Sequence, residues 1–425
     1  TAVGMTLVAL ALGAVAWARW GAVAKLHDRL PEIDGKRVFE RAVEAAARFA
    51  SAFTQAVDNG SLQRYVAMAI GFAVVAGGLA YVQLPSGEGT LATEASPVAI
   101  VLWGVLLVGA LLTVVLHRRR LVAVVSLSVV GLVVALLFIY LSGPDLGLTQ
   151  LSVEVVSILL ILLALFVLPQ ATPHESTPGQ KLPHVGIAVA AGLGTTALAH
   201  GVLTREQHTI ADYYLDNALP HGGGTNVVNV ILVDFRGFDT MGEISVLAIA
   251  AIGVLVLLTG KQPHYPGARP PKTEERFPVM LVTVTRPLMA LILLIAVYIF
   301  LRGHNLPGGG FIAGLVATVA LVIQYVASGL EWTNARLRWP FEKLAGIGVL
   351  IAVATGLASW AFDRPFLTST FGHMEWPVVG EFELASAMAF DLGVFFVVVG
   401  SLMVILRRLA LIQRKVVPHP QGPRR

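Results

Sequence analysis

Eleven apolar runs set the limits on what this chain can fold into. They lie at 2–19, 64–83, 97–116, 121–142, 147–168, 184–204, 240–259, 286–302, 308–328, 341–362 and 382–406. Each approaches the roughly 20 residues a helix needs to cross the hydrocarbon core of a bilayer. Water is absent from that core, so every run must satisfy its own backbone N–H and C=O groups, which a helix does. The chain therefore reads as an all-α polytopic membrane protein with eleven transmembrane helices. Charged residues are only 13% of the total against 56% hydrophobic, where soluble domains carry about a quarter charged residues.

Eleven spans alternate the sides of their connections, so orientation can be tested by counting basic residues. All but four of the 30 lysines and arginines fall on one side; Arg205, Arg236, Arg302 and Arg364 fall on the other. The positive-inside rule makes the rich side cytoplasmic, with the first end outside and the last end inside. His117-Arg118-Arg119-Arg120 is then a cytoplasmic stop between two spans. Thr1 opens within an apolar run, without the basic region and cleavage site of a signal peptide. The expectation is a chain that starts inside a larger polypeptide.

Residues 36–58 differ from the rest. Lys36, Arg37, Glu40, Arg41, Glu44 and Arg48 alternate with Val38, Phe39, Val43, Phe49 and Phe53 at helical period. This is one amphipathic surface helix, lying on the membrane or against another protein of a complex. A second break, 260–285, is rich in proline, glycine and charge and reads as a cytoplasmic linker joining two ancestral polypeptides. The expected domains are 1–96, 97–259 and 286–425, the last two separated by that linker.

Within this oily frame the polar residues carry the information. Glu154 lies about two turns into the run 147–168, where an ionised acid is costly unless paired, hydrated or protonated. Gln150, Glu154 and Ser157 share a helix face and, with Thr149, suit an ion path. Asp145, just before them, is explained as well by helix capping as by ion entry. Asp239 and Glu243, one turn apart, divide between capping and an outer cation vestibule. Asp391, deep in the last run, divides between ion path and inter-subunit hydrogen bond. Arg302, His304, Pro307 and Gly308-Gly309-Gly310 form a tight outer turn, read as structural with an interface role as the second option.

Several classes of function are excluded. There is no cysteine, hence no disulfide, thiolate metal site or thiol chemistry. No nucleophile elbow, HExxH, Walker or dinucleotide motif occurs, and the basic residues follow topology, leaving no nucleic-acid face. No cofactor is expected.

Three long motifs resemble one family. Pro144 to Glu154 (PDLGLTQLSVE) and His221 to Glu243 (HGGGTNVVNVILVDFRGFDTMGE) resemble signatures of the A subunit of Mrp-type Na⁺/H⁺ antiporters. Arg302 to Phe311 (RGHNLPGGGF), Arg364 to His373 and the last span with Asp391 resemble the B subunit. The resemblance covers essentially the whole chain, as the tail of an A subunit followed by a B subunit, with 97–259 similar to membrane-hydrogenase D and E modules. It implies exchange of cytoplasmic Na⁺ for external H⁺ in a bacterial cell membrane, with Na⁺ held transiently at Glu154 or Glu243. The implied partners are the C, D, E, F and G subunits and an N-terminal antiporter domain. Some members carry a histidine two residues before the span-ending proline; here Val167 precedes Pro169 in that place. Rival readings are a module of an energy-converting hydrogenase or complex-I-like oxidoreductase, and a scaffold protein that transports nothing.

Overall fold

The computed structural model describes residues 2–27, 34–58, 60–83, 96–165, 178–204, 209–259, 279–377 and 380–416. Its helices are α1 (Ala2–Ala18), α2 (Trp20–His27), α3 (Gly35–Val57), α4 (Leu62–Gln83), α5 (Pro97–Val115), α6 (Arg120–Tyr140), α7 (Pro144–Leu165) and α8 (Pro178–Leu203). There follow α9 (Ala211–Gly222), α10 (Val227–Val230) with a π-helical turn Ile231–Phe235, α11 (Gly237–Thr259), α12 (Val279–Arg302), α13 (Gly310–Arg336), α14 (Phe341–Ala358) and α15 (Ala387–Val416). Among the described residues ten helices are long and apolar enough to cross a membrane. The first apolar run is a helix of 17 residues, Ala2–Ala18. The chain is a multi-pass helical membrane protein. The expected linker lies largely outside the described residues, as do Val167 and Pro169.

Two compact units are present, and neither is a single stretch of sequence. One comprises residues 1–90 and 176–205, the other 91–175 and 206–425. In the first, α4 packs on α8 where Gly77 meets Leu198 and Gln63 Nε2 lies 3.2 Å from His184 Nε2. The amphipathic helix is α3. Asp34 caps it by accepting from the Lys36 and Arg37 amides at 3.0 and 3.4 Å, and no residue of it is buried. Its exit is a tight corner at Gly60 (φ 74°), where the Gly60 N–H donates to Tyr65 Oη at 2.7 Å and Tyr65 hydrogen-bonds Asp58.

The second unit is held by small residues. In a membrane, apolar side chains gain little by leaving lipid for protein, so close backbone approach matters more than burial. Gly348 and Ala352 of α14 lie against Gly393 of α15, and Gly400 lies against Ala345. A Cβ on Gly348 would fall 2.6 Å from the Gly393 carbonyl. Gly314 of α13 likewise fits under Val398. The buried cluster around these contacts draws Val156 from α7, Val233 from the π turn, Ile244 from α11, Leu315 from α13 and Phe390 from α15.

The connection 363–386, which has no long apolar run, contains a β-hairpin. Strands β1 (Phe371–Trp376) and β2 (Gly380–Ala385) pair antiparallel, Phe371 opposite Ala385. This is a small addition to an otherwise helical fold.

Candidate functional site

The residues singled out in the sequence separate into three groups. The first is a buried polar knot at one end of the second unit. Gly309 adopts φ 104°, which only glycine takes without strain, and its neighbours then turn their amides outward. The Gly308 N–H donates to Asp145 Oδ1 at 2.9 Å, and the Gly310 N–H donates to Asp391 Oδ2 at 2.6 Å. Asn226 Nδ2 also donates to Asp145 Oδ1, at 3.4 Å, and to the Gly303 and Leu306 carbonyls, each at 3.0 Å. The Asn229 side chain hydrogen-bonds Asp391. Asp145, Asp391, Asn226 and Asn229 are all buried. The turn thus grips one carboxyl from each side of the 260–278 segment.

Its flanks are equally tied. Arg302 Nε donates to the Pro307 carbonyl at 2.8 Å, and its guanidinium lies 5.2 Å over the Tyr298 ring. Buried His304 donates from Nε2 to the Gly222 carbonyl at 2.9 Å, while its own carbonyl accepts from the Asn226 N–H at 3.1 Å. Thr225 donates to Asn305 three times, N–H to Oδ1 at 3.0 Å and Oγ1 to the carbonyl at 2.8 Å and to Oδ1 at 3.3 Å. Next to the knot, Asp234 Oδ1 accepts from the Ser369 N–H at 2.9 Å, and Ser369 Oγ meets Ser386 Oγ at 3.2 Å. Burial raises the Asp234 carboxyl above its ordinary value, against the opposing pull of the Ser369 N–H and nearby His304.

The second group is exposed. Asp239 pairs with Arg236 at 2.5 Å, both about half exposed. Glu243, one turn on, is exposed and makes no hydrogen bond or ion pair among the described residues. Neither acid is tied to the knot among the described residues.

Glu154 stands apart from both. It is half-buried in the middle of α7, and among the described residues no N–H or O–H donor or cation reaches its carboxylate. Gln150 and Ser157 flank it, half-buried and not hydrogen-bonded to it; Thr149 bonds back to the Asp145 carbonyl at 2.8 Å. Asp145 and Asp391 each accept from a backbone amide and from an asparagine side chain of the knot. Glu154, by contrast, accepts from no donor among the described residues, at a depth where an unpaired carboxylate is costly.

Sequence reasoning passed over Asn226, Asn229 and Asp234. The signal was available, because Asn229 and Asp234 interrupt the apolar stretch Val227 to Phe235 just as Glu154 interrupts its own.

Known families cover most of this architecture. Residues 280–404 match the domain related to the MnhB subunit of Na⁺/H⁺ antiporters, 180–275 match the E subunit of MBH and 105–170 match the MBH D subunit. The B subunit of the Bacillus subtilis Na⁺/H⁺ antiporter is 44% identical over 131 residues, which are 92% of that protein and 31% of this chain. The chain belongs to the Mrp-type antiporter family, as a joined A and B subunit. A Rhizobium meliloti protein described as a probable K⁺/H⁺ antiporter A/B subunit is 36% identical over 412 residues, 89% of this chain and 41% of that one. The solved Mrp complex from Dietzia contains a chain that superposes with TM-score 0.75 at 30% identity, over 96% of this chain and 45% of that one. The chain thus spans less than half the length of these two family members.

Proposed function

We propose that this chain is a membrane part of a multisubunit antiporter that exchanges cytoplasmic Na⁺ for external H⁺. One observation carries the mechanism: Glu154, at the middle of a spanning helix, has no donor among the described residues. Such a carboxylate must be protonated or must hold a cation to be tolerated in a low-dielectric surround. Proton and dehydrated cation then compete for one site, and alternating access to the two faces couples their gradients. Exposed Glu243 serves as a second, outer stop for the cation, and the knot at Gly308-Gly309-Gly310 holds the surrounding helices in register. No cofactor is required. The C, D, E, F and G subunits and an N-terminal antiporter domain complete the machine in a bacterial cell membrane.

A second cation belongs in the same test, because the Rhizobium relative carries K⁺ in its description and the Bacillus relative carries Na⁺. In everted vesicles of a host without antiporters, carrying the full set of subunits, Na⁺ should dissipate a preformed acid interior. A response to K⁺ alone would reassign the cation. A response to neither would overturn the exchange reading and leave a scaffold role.

Orientation follows from the distribution of basic residues, with the last end cytoplasmic. A cysteine placed at His221 should react with an impermeant thiol reagent in intact cells, and one at Arg119 only after permeabilisation. Labelling at Arg119→Cys in intact cells would reverse the topology.

A further inference from the structure

The Glu154 carboxylate rests against the backbone of α6, at Gly131. A Cβ built on Gly131 would fall 2.7 Å from Glu154 Oε1 and closer still to Oε2 and Cδ. The carboxylate therefore occupies the space that a side chain at 131 would fill. The two residues meet at the middle of both helices, since Gly131 is the twelfth residue of the 21 in α6 and Glu154 the eleventh of the 22 in α7. Gly131 is buried in this seam. Nearby Ser128 is turned back on its own helix, bonded to the Val124 carbonyl at 2.9 Å.

We propose that Gly131 is the positioning residue for the exchange site: its missing side chain makes the notch that seats the Glu154 carboxylate on α6 at mid-membrane. The proposal rests on the reading of Glu154 as the exchanging group. A glycine is suited to the place for two reasons. Its Cα–H groups are weak donors that steady a carboxylate without neutralising it or competing with a cation. Its lack of a Cβ also leaves the oxygens on the seam between α6 and α7, where an ion moving between helices can reach them. An added methyl would push the carboxylate out of the notch by about an ångström or more, and misplacement on that scale is worth up to about 100-fold in a tuned site.

The same helix pair supplies its own control. Gly147 of α7 also packs on α6, where a Cβ would fall 2.6 Å from Ile139 Cγ1 and 3.1 Å from the Ala135 carbonyl, but it faces no carboxylate. Gly147→Ala perturbs packing alone.

The test is Na⁺-dependent proton exchange in vesicles carrying the full complex, read at equal complex content. Gly131→Ala should raise the half-saturating Na⁺ concentration about tenfold or more and shift its pH profile. Gly147→Ala should lower complex content while the assembled fraction keeps wild-type half-saturation. The double variant Gly131→Ala/Glu154→Asp should return to the behaviour of Glu154→Asp alone, because the shorter acid withdraws from the new methyl. If Gly131→Ala does not assemble, recovery of assembly and exchange in the double variant supports the proposal, and failure to recover overturns it. Wild-type half-saturation in Gly131→Ala overturns it, as does an altered Gly131→Ala that Glu154→Asp leaves unimproved. Full exchange by Glu154→Gln would instead remove the reading of Glu154 on which the proposal stands. An inactive Glu154→Gln beside an unaffected Gly131→Ala would remove the positioning role alone.

Discussion

Gly310→Ala should abolish assembly of the second unit, leaving little or no intact complex in detergent. A Cβ there would fall 2.7 Å from Asp391 Oδ1 and closer to the Asp391 carbonyl, so α13 and α15 cannot keep their present approach. Relief requires that the Gly310 N–H lose Asp391, its 2.6 Å partner. Losing a hydrogen bond to a buried acidic group costs about 1.5–3 kcal/mol, before the cost of forcing α13 and α15 apart, against the roughly 5–15 kcal/mol that typically separates folded from unfolded states. Gly346→Ala is the matched control: it lies in α14, and nothing stands within 4 Å of its added Cβ. Native electrophoresis of the complex should show the Gly346 variant at wild-type yield and the Gly310 variant lost. Equal yields would mean that the glycine turn does not hold the two carboxyls under any load.

Glu154→Gln should leave assembly intact and remove exchange. Glutamine keeps the size and shape of the side chain, fits the same notch and lowers the cost of burial, so the complex should form at normal levels. What disappears is the group that takes a proton or a cation. Exchange should fall by about 100-fold or more, the low end of what positioned proton-transfer groups contribute. Glu154→Asp should keep part of the activity, since its carboxylate retreats by one methylene. Vesicles with Gln at wild-type rates would take Glu154 out of the ion path.

The helices were legible because a bilayer imposes a length, and length is a property of consecutive residues. The amphipathic stretch 36–58 is the helix Gly35–Val57, and Glu154 announced itself as a carboxylate in an oily run. Outside the spans that rule gives no purchase. Helix α9 (Ala211–Gly222) and the β1–β2 hairpin lie in polar connections where only weaker, local periodicity marks them. The knot was harder still. Asp145 meets Gly308 across 163 positions, and no local pattern says which acid will face which amide. The same is true of the notch at Gly131, which depends on the register of α6 against α7. Each residue of these pairs could be picked out singly, but the pairing is a product of packing.

Competition at a single carboxylate is the central claim, and the most direct measurement is the pH dependence of the half-saturating Na⁺ concentration for exchange by the complete complex. If proton and cation share Glu154, that concentration should climb as the pH falls, approaching about tenfold per pH unit once the site is mostly protonated. A half-saturation that stays constant across the same pH range, with exchange still running, would contradict it.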